Sequence, residues 1–424
     1  MIIVIGAGLA GMSAAYHLAE RGIEHVVYEK ERQPGGLCQS YIKRNHTFDL
    51  AGHFLHLRTD DIKKFVKKIM PEGISLKERS ASIIVGDCKV PFPFQAHVGF
   101  LPKEDVVACL TGYINAILDK RETREKTLGK WLAANFGLGM YERFFRPYNE
   151  KFWKMDLDDI LVDWTQWSVP RPDVEQVVRG AMGIESKGMG YNPSFYYPDV
   201  GGIGAFTTDL ANRLKNIKTG MMAHEIEAKK HRVVLSDRSE IEYDALINTQ
   251  PVPRLFGIMK DAPGSLKRAA VKLDWIVVDC VQLGFKRQNI IEEDWIYVPD
   301  EKYPFYRVGK YPGGVGDSGS AIFVEFTRRK NEPMPNPEDL IKTTMEGLTD
   351  LKIIEKREKA NIADIVSLNP AYVVYDKHRQ WFLPRAEVFL KRHDIHSIGR
   401  YGTWEYSTME DALIQGKNIA ESLA

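Results

Sequence analysis

Cysteine is scarce: the chain of 424 residues holds only Cys38, Cys88, Cys109 and Cys280, scattered without CxxC or metal-ligand spacing. That pattern excludes a disulfide framework and suggests no metal site, and it fits isolated thiols in a reducing compartment. No charge of one sign dominates. Lysine plus arginine (58) nearly cancels aspartate plus glutamate (57), so nothing electrostatic points to nucleic acid or an acidic membrane. No apolar run is long enough to span a bilayer, and the apolar N-terminus lacks a basic n-region and is cut by glycines. Neither a membrane span nor a signal peptide is expected, and a cytoplasmic location is the default. Repeats, low-complexity segments and long linkers are absent too, so the domains expected from this length are interleaved.

What is present begins at the first residue. Met1 to Ile5 is a β-branched run that reads as a buried strand, Gly6-Ala7-Gly8-Leu9-Ala10-Gly11 follows it, and Met12 to Arg21 reads as a helix. Gly6 permits the tight turn, Gly8 lets a pyrophosphate reach the backbone, and Gly11 lets the helix lie against the strand, so the helix N-terminus faces phosphate. Val26 to Tyr28 reads as the second strand. Glu29 at its end can accept hydrogen bonds from ribose hydroxyls. A second glycine pair, Gly35-Gly36, follows in Glu31-Arg32-Gln33-Pro34-Gly35-Gly36. It resembles the motif by which amine oxidase-like flavoproteins bring backbone amides to the FAD pyrophosphate, and a bare nicotinamide site does not need it.

Further along, Ala51-Gly52-His53 places a glycine where backbone can approach a flat ring. Thr59 to about Arg179 turns mainly helical, as in Glu104 to Leu118 and Leu128 to Asn135, interrupted by Ile83 to Val85 and by Pro91-Phe92-Pro93-Phe94. Phe206 to Leu214 reads as a helix and Ile226 to Glu242 as an antiparallel strand pair, with Ile226 a candidate cofactor contact. Tyr243 to Pro251 reads as a strand returning to the nucleotide site. Trp275 to Phe285 and Ala321 to Phe326 alternate as strands of a separate antiparallel sheet, and Pro335 to Arg357 reads as a helix. Ile395 to Gly399 enters a turn and then a helix to Leu423, whose N-terminus at Met409 and Glu410 would aim unpaired N–H groups at a flavin. Gly399 belongs to the same turn.

Stretches outside these glycines carry a wider resemblance. They are Arg79, Phe92-Pro93-Phe94-Gln95, Arg146-Pro147-Tyr148-Asn149-Glu150-Lys151-Phe152-Trp153, Asn192 before Pro198, Trp295-Ile296-Tyr297, Tyr303-Pro304-Phe305-Tyr306-Arg307, Tyr372, and Arg400 with Tyr406. Over almost its whole length the chain resembles the UDP-galactopyranose mutase family, within the amine oxidase and protoporphyrinogen oxidase-like flavoproteins. The resemblance implies an α/β fold: a Rossmann-type FAD-binding domain (1–58, 191–255, 371–424), an inserted helical domain with nucleotide contacts (59–190) and an antiparallel β-sheet substrate domain (256–370). It also implies an FAD-dependent isomerase of UDP-linked sugars, in which reduced flavin N5 attacks the anomeric carbon and NADH or NADPH is the reductant.

By the same resemblance, Arg79, Phe92, Gln95, Asn149, Trp153 and Asn192 line the nucleotide pocket, and Tyr297, Arg307, Tyr372, Arg400 and Tyr406 hold the diphosphate. His53 faces the flavin. The family's mobile-loop arginine falls at Ser168, with Arg171 the nearest substitute, and Thr408 replaces an aspartate of the bacterial branch. The residue types suit the role, because a diphosphate leaving water needs fixed cations and hydroxyl donors. Two alternatives stand: an FAD-dependent amine or protoporphyrinogen oxidase, and a flavoprotein that serves as a redox or binding partner. Homo-oligomerisation is left open by the sequence.

Overall fold

Three short runs buried at every position, Ile2–Ile5, His25–Tyr28 and Ala245–Asn248, lie side by side in the computed structural model, which describes residues 1–119, 125–164, 169–184, 193–312 and 319–424. They form the middle of a five-stranded sheet ordered Ile395–Ser397, Ala245–Asn248, Ile2–Ile5, His25–Tyr28, Ile217–Lys218, and every pairing is parallel. Strands of such a sheet are covered on both faces, which is why they read as continuous apolar runs. One cover is the Leu9–Glu20 helix, buried from Leu9 through Leu18. It packs on the C-terminal Met409–Ser422 helix at Gly416, where a Cβ would come within 2.5 Å of the Ala10 carbonyl oxygen.

The first helix starts at Leu9, before the expected Met12. Glycines argue against a helix interior on propensity. Here Gly11 is inside because a Cβ there would stand 1.9 Å from the Gly6 carbonyl oxygen, so tertiary proximity overrides propensity.

The second sheet has seven strands, ordered Ile362–Val373, Trp275–Phe285, Ser320–Arg329, Arg307–Lys310, Trp295–Tyr297, Ala81–Val85, Cys88–Pro91. The pairings are antiparallel except that Trp295–Tyr297 runs parallel to Ala81–Val85. The stretch expected to be mainly helical therefore supplies two strands of this sheet. Its helices Lys103–Asp119, Leu128–Met140 and Arg146–Trp153 pack around Leu132, Phe136, Phe144 and Phe152. The strand Ile362–Val373 and the helix Lys377–Lys391 had no sequence expectation behind them. Ile226 to Glu242 resolves into three strands, Ala223–Glu227, Arg232–Leu235 and Glu240–Glu242, in one antiparallel sheet. The helix expected to reach Arg357 stops at Asp350.

Candidate functional site

At the carboxyl end of the Ile2–Ile5 strand two glycine turns close on each other. Gly6 has φ +100° and Gly36 φ +59°, both in the left-handed region. The Gly35 N–H donates to the Ala7 carbonyl at 2.8 Å, and a Cβ on Gly36 would stand 3.0 Å from the Gly8 Cα. No side chain caps the Leu9–Glu20 helix at Gly8, which leaves its first-turn N–H groups for an anion. Glu29 is 6% exposed. Its Oε2 accepts from the Ala7 N–H at 2.7 Å and its Oε1 from the Glu31 N–H at 2.9 Å, leaving each oxygen a second lone pair for a ribose hydroxyl. A cradle without Cβ atoms, followed by a fixed carboxylate, fits the pyrophosphate and ribose of a flavin dinucleotide.

Three other expected cofactor contacts lie close by. Gly399, φ +78°, lets its turn press on the first helix, where a Cβ would meet that of Ala10 at 2.9 Å. Met409 opens the C-terminal helix, and its Sδ accepts from the Cys38 Sγ at 3.3 Å. Gly52 lies against the larger sheet, since a Cβ there would be 2.6 Å from the Phe323 ring.

One expectation needs correction, and another narrows to the backbone. Ile226 is fully buried among Ala223, Val233 and Met259, and its carbonyl accepts from the Lys260 N–H at 2.9 Å. Strand alternation turns it into the core. The backbone beside Glu29 belongs to Gly220 and Met221, whose N–H groups donate to the Glu31 and Glu29 carbonyls at 2.9 and 2.8 Å. The Glu410 side chain is fully buried and engaged elsewhere. It accepts from the Arg58 and Thr59 N–H groups at 2.9 and 2.7 Å and from Arg58 Nε at 2.6 Å. Burial alone would push this carboxyl up, but the donors of Thr59 and Arg58 hold it below its ordinary pKa. It anchors the start of the Asp60–Ile69 helix, and only its backbone is left for a cofactor.

Beside the cradle a cleft opens between the larger sheet and the helices. Tyr297, Arg307 and Glu325 are register partners across three adjacent strands. Directly opposed side chains share a face. Arg307 meets Glu325 Oε2 through Nε at 2.7 Å and Nη2 at 2.6 Å, and the Tyr306 hydroxyl donates to the same oxygen at 2.5 Å. Glu325 is 1% exposed. Arg400 has a different setting. Its Nη1 donates to the Ser407 carbonyl at 2.7 Å and its Nη2 to the Ala371 carbonyl at 3.1 Å. Its guanidinium lies 4.9 and 5.0 Å from the rings of Tyr372 and Tyr406, which stack on each other at 5.7 Å.

Both guanidinia act on His53. Burial pushes its imidazole down to about 4, against the Ala51 carbonyl that Nδ1 faces at 3.3 Å, and Arg400 and Arg307 add to the push. His53 is therefore neutral at pH 7. With its proton on Nδ1 toward that carbonyl, Nε2 is left an acceptor.

The facing wall carries the expected nucleotide contacts. Arg79 lies over Phe92 at 4.9 Å and over Trp295 at 5.4 Å. Asn149 and Trp153 share one face of the Arg146–Trp153 helix. Gln95 donates through Nε2 to the Pro170 carbonyl, and Asn149 through Nδ2 to the Phe145 carbonyl at 2.7 Å. Both side-chain oxygens are thereby left as acceptors. Trp153 Nε1 is a buried donor with no partner among the described residues, and its residue lines the cleft. The lining also includes the apolar side chains of Leu128, Leu132, Phe144 and Phe145.

The cleft thus brings together Arg79, Phe92, Gln95, Asn149, Trp153, Tyr297, Arg307, Tyr372 and Tyr406, with Arg400 behind the last two. It does not bring in Arg171, which is exposed and outside the lining. Its neighbour Pro170 lines the cleft instead, because its carbonyl is tied to Gln95. Asn192 and Ser168 lie outside the described residues. Tyr148, Phe152 and Tyr306 also line the cleft, and Glu325 sits under it, without having been expected. The signal for Glu325 was there, a lone acid within the apolar strand Ala321-Ile322-Phe323-Val324-Glu325-Phe326.

Against known proteins, the sequence profile of flavin containing amine oxidoreductases matches residues 9–424. An inactive all-trans-retinol 13,14-reductase of Danio rerio is 32% identical over 73 residues, which is 17% of this chain and 12% of that protein. A hydroxysqualene dehydroxylase of Sinorhizobium fredii is 32% identical over 93 residues, 22% of this chain and 20% of that one. The chain thus aligns with a fifth or less of these curated relatives. The crystal structure of a reduced UDP-galactopyranose mutase superposes with a TM-score of 0.92 at 24% identity, covering 100% of this chain and 93% of that one. At that identity the likeness is one of fold.

Proposed function

Because the chain belongs to the family of flavin containing amine oxidoreductases, we propose that it holds FAD in the glycine cradle and works as a nucleotide-sugar mutase, interconverting pyranose and furanose forms of a UDP-linked sugar. The observation that supports this most is the convergence of Arg307 and Arg400 on His53 and on the phenol of Tyr372, with Arg400 also against Tyr406. An amine substrate has no use for buried cations. A diphosphate does, since guanidinium and hydroxyl donors replace the water it gives up.

When bound and reduced, with NADH or NADPH as electron source, the flavin supplies a nucleophile for the anomeric carbon and no net redox change follows. The residues of this chain do the rest. Gly6, Ala7, Gly8, Gly11, Gly35 and Gly36 admit the pyrophosphate to backbone N–H groups, and Glu29 takes the ribose hydroxyls. Arg307 and Arg400, with Tyr297, Tyr372 and Tyr406, hold the diphosphate while it is detached and keep it in place for return. Glu325 fixes Arg307 and offsets its charge, so the cleft carries less net positive charge than its arginines suggest. Gln95, Asn149 and Trp153 offer two acceptors and one donor to the base, and Arg79 with Phe92 forms its flat wall. His53 stays neutral and adds no proton to the chemistry.

The test is addition of UDP to the dithionite-reduced holoprotein, followed by flavin fluorescence and thermal unfolding. Binding to the native state raises the unfolding temperature. Turnover of UDP-galactopyranose and UDP-galactofuranose is then followed by chromatography. Silence toward every nucleoside diphosphate defeats the proposal. The apolar part of the lining, Leu128, Leu132, Phe144 and Phe145, favours a second reading, an FAD-dependent oxidase of an amine or porphyrinogen. Oxygen uptake driven by such a substrate would put that reading first.

A further inference from the structure

The turn that places Tyr406 in the cleft, with Arg400 behind it, is tied within itself by the Glu405 N–H to the Arg400 carbonyl at 3.0 Å and is held from outside as well. Trp404, fully buried, has φ +56°, a conformation that a bulky residue adopts only when its surroundings impose it. Two residues from outside the turn do so. Arg379, in the first turn of the Lys377–Lys391 helix, donates through Nε to the Trp404 carbonyl at 2.7 Å. Its guanidinium lies 3.8 Å from the centre of the Tyr375 ring. Tyr375, 6% exposed, accepts the Tyr406 N–H on its hydroxyl at 2.8 Å. Its own carbonyl accepts from the Leu161 N–H at 2.6 Å, three residues before Trp164 in the cleft wall.

We propose that Tyr375, clamped by Arg379, is the positioning residue that sets Tyr406 against Tyr372 in the diphosphate end of the cleft. It touches no substrate. It acts by giving the half-buried Tyr406 N–H its acceptor, because an N–H shielded from water and deprived of its partner favours a shift of the backbone. The inference rests on the nucleotide-sugar reading for its consequence in binding, and on the hydrogen bond alone for its consequence in geometry.

The experiment uses the FAD-loaded full chain and UDP as probe. Tyr375→Phe removes one hydroxyl and keeps the ring under Arg379. The expected result is UDP binding weaker by about five- to ten-fold with flavin retained. In a Tyr406→Phe background the same change should cost less than about two-fold, since residues acting through one another are not additive. Undiminished UDP binding by Tyr375→Phe, or full multiplication of the two effects, would overturn the proposal. A crystal structure of Tyr375→Phe decides the geometric part whether or not UDP binds. Displacement of the Tyr406 ring from its stack on Tyr372 supports it, and an unmoved ring refutes it. Failure of the parent protein to bind UDP sinks the nucleotide-sugar reading and leaves that crystal structure to judge this one.

Discussion

Arg307 and Glu325 face each other across adjacent antiparallel strands, and two nitrogens of the guanidinium reach the same carboxylate oxygen at 2.7 and 2.6 Å. A buried pair of this kind adds little net stability, but removing one partner leaves a charge uncompensated. Glu325→Gln is therefore expected to cost about 3 kcal/mol of stability, measured as a fall in the urea midpoint at unchanged slope. UDP binding should not weaken, because the cleft becomes more positive. A loss of UDP binding at full stability would mean that Glu325 matters for orientation and not for charge.

Arg307→Ala removes the other half of the pair. Nucleotide-diphosphate affinity should fall by at least ten-fold in calorimetric titration, while the yellow colour persists because no cradle residue has changed. Arg307→Lys should recover only part of that affinity, since an ammonium cannot reproduce the forked contact to Glu325. Release of flavin from either variant would show that Arg307 supports the cofactor.

How far the site could be read in advance depended on what kind of signal each residue gave. Gly6, Gly8, Gly11 and Glu29 were legible because a backbone constraint fixes both residue type and spacing. Tyr297, Arg307 and Arg400 were legible only through resemblance, since no local pattern says that an arginine in a strand and one in a turn will meet. Glu325 was overlooked although a buried strand rarely keeps an unpaired acid. Ile226 was misjudged because it sits close to the cofactor region in sequence while its side chain serves the core, and the Glu410 side chain serves a neighbouring helix while its backbone keeps the expected place at a helix start. The sheet strands at Ala81–Val85 and Cys88–Pro91 were hidden inside a mostly helical stretch. Among the described residues Cys88–Pro91 pairs only with Ala81–Val85, and that strand joins the sheet through Trp295–Tyr297, far along the chain, so tertiary pairing sets them as strands of this sheet.

Gly36→Ala tests the cradle directly. Its φ of +59° and the 3.0 Å gap between a Cβ and the Gly8 Cα both resist a side chain. The backbone conformation alone costs roughly 1–2 kcal/mol for an L residue, and the methyl group occupies the space between the two glycine turns. The purified variant should lose most of its flavin absorbance while far-ultraviolet circular dichroism stays that of the parent. Full flavin content would place the pyrophosphate somewhere other than between Gly8 and Gly36.

Acid stability gives a test that needs no ligand. Burial pushes both His53 and His56 down to about 4, whereas an unfolded histidine titrates near 6.5, roughly as free imidazole does. Between those values the unfolded chain binds more protons than the native one, so stability is retained above about pH 6.5 and lost as the pH falls toward 4. Asp49 opposes this. Burial raises its carboxyl to about 7, against the donors Ser40, Tyr197 and Ile203, so its native state holds a proton that the unfolded chain releases, and its contribution fades as the pH rises toward 7. Two imidazoles outweigh one carboxyl, and the net expectation is a falling urea midpoint from pH 6.5 to pH 4.5. His53→Asn should remove most of that slope, since the remaining imidazole of His56 and the carboxyl of Asp49 then nearly cancel. A slope unchanged by the substitution would mean that His53 is already protonated in the native cleft, a state that two nearby guanidinium groups oppose.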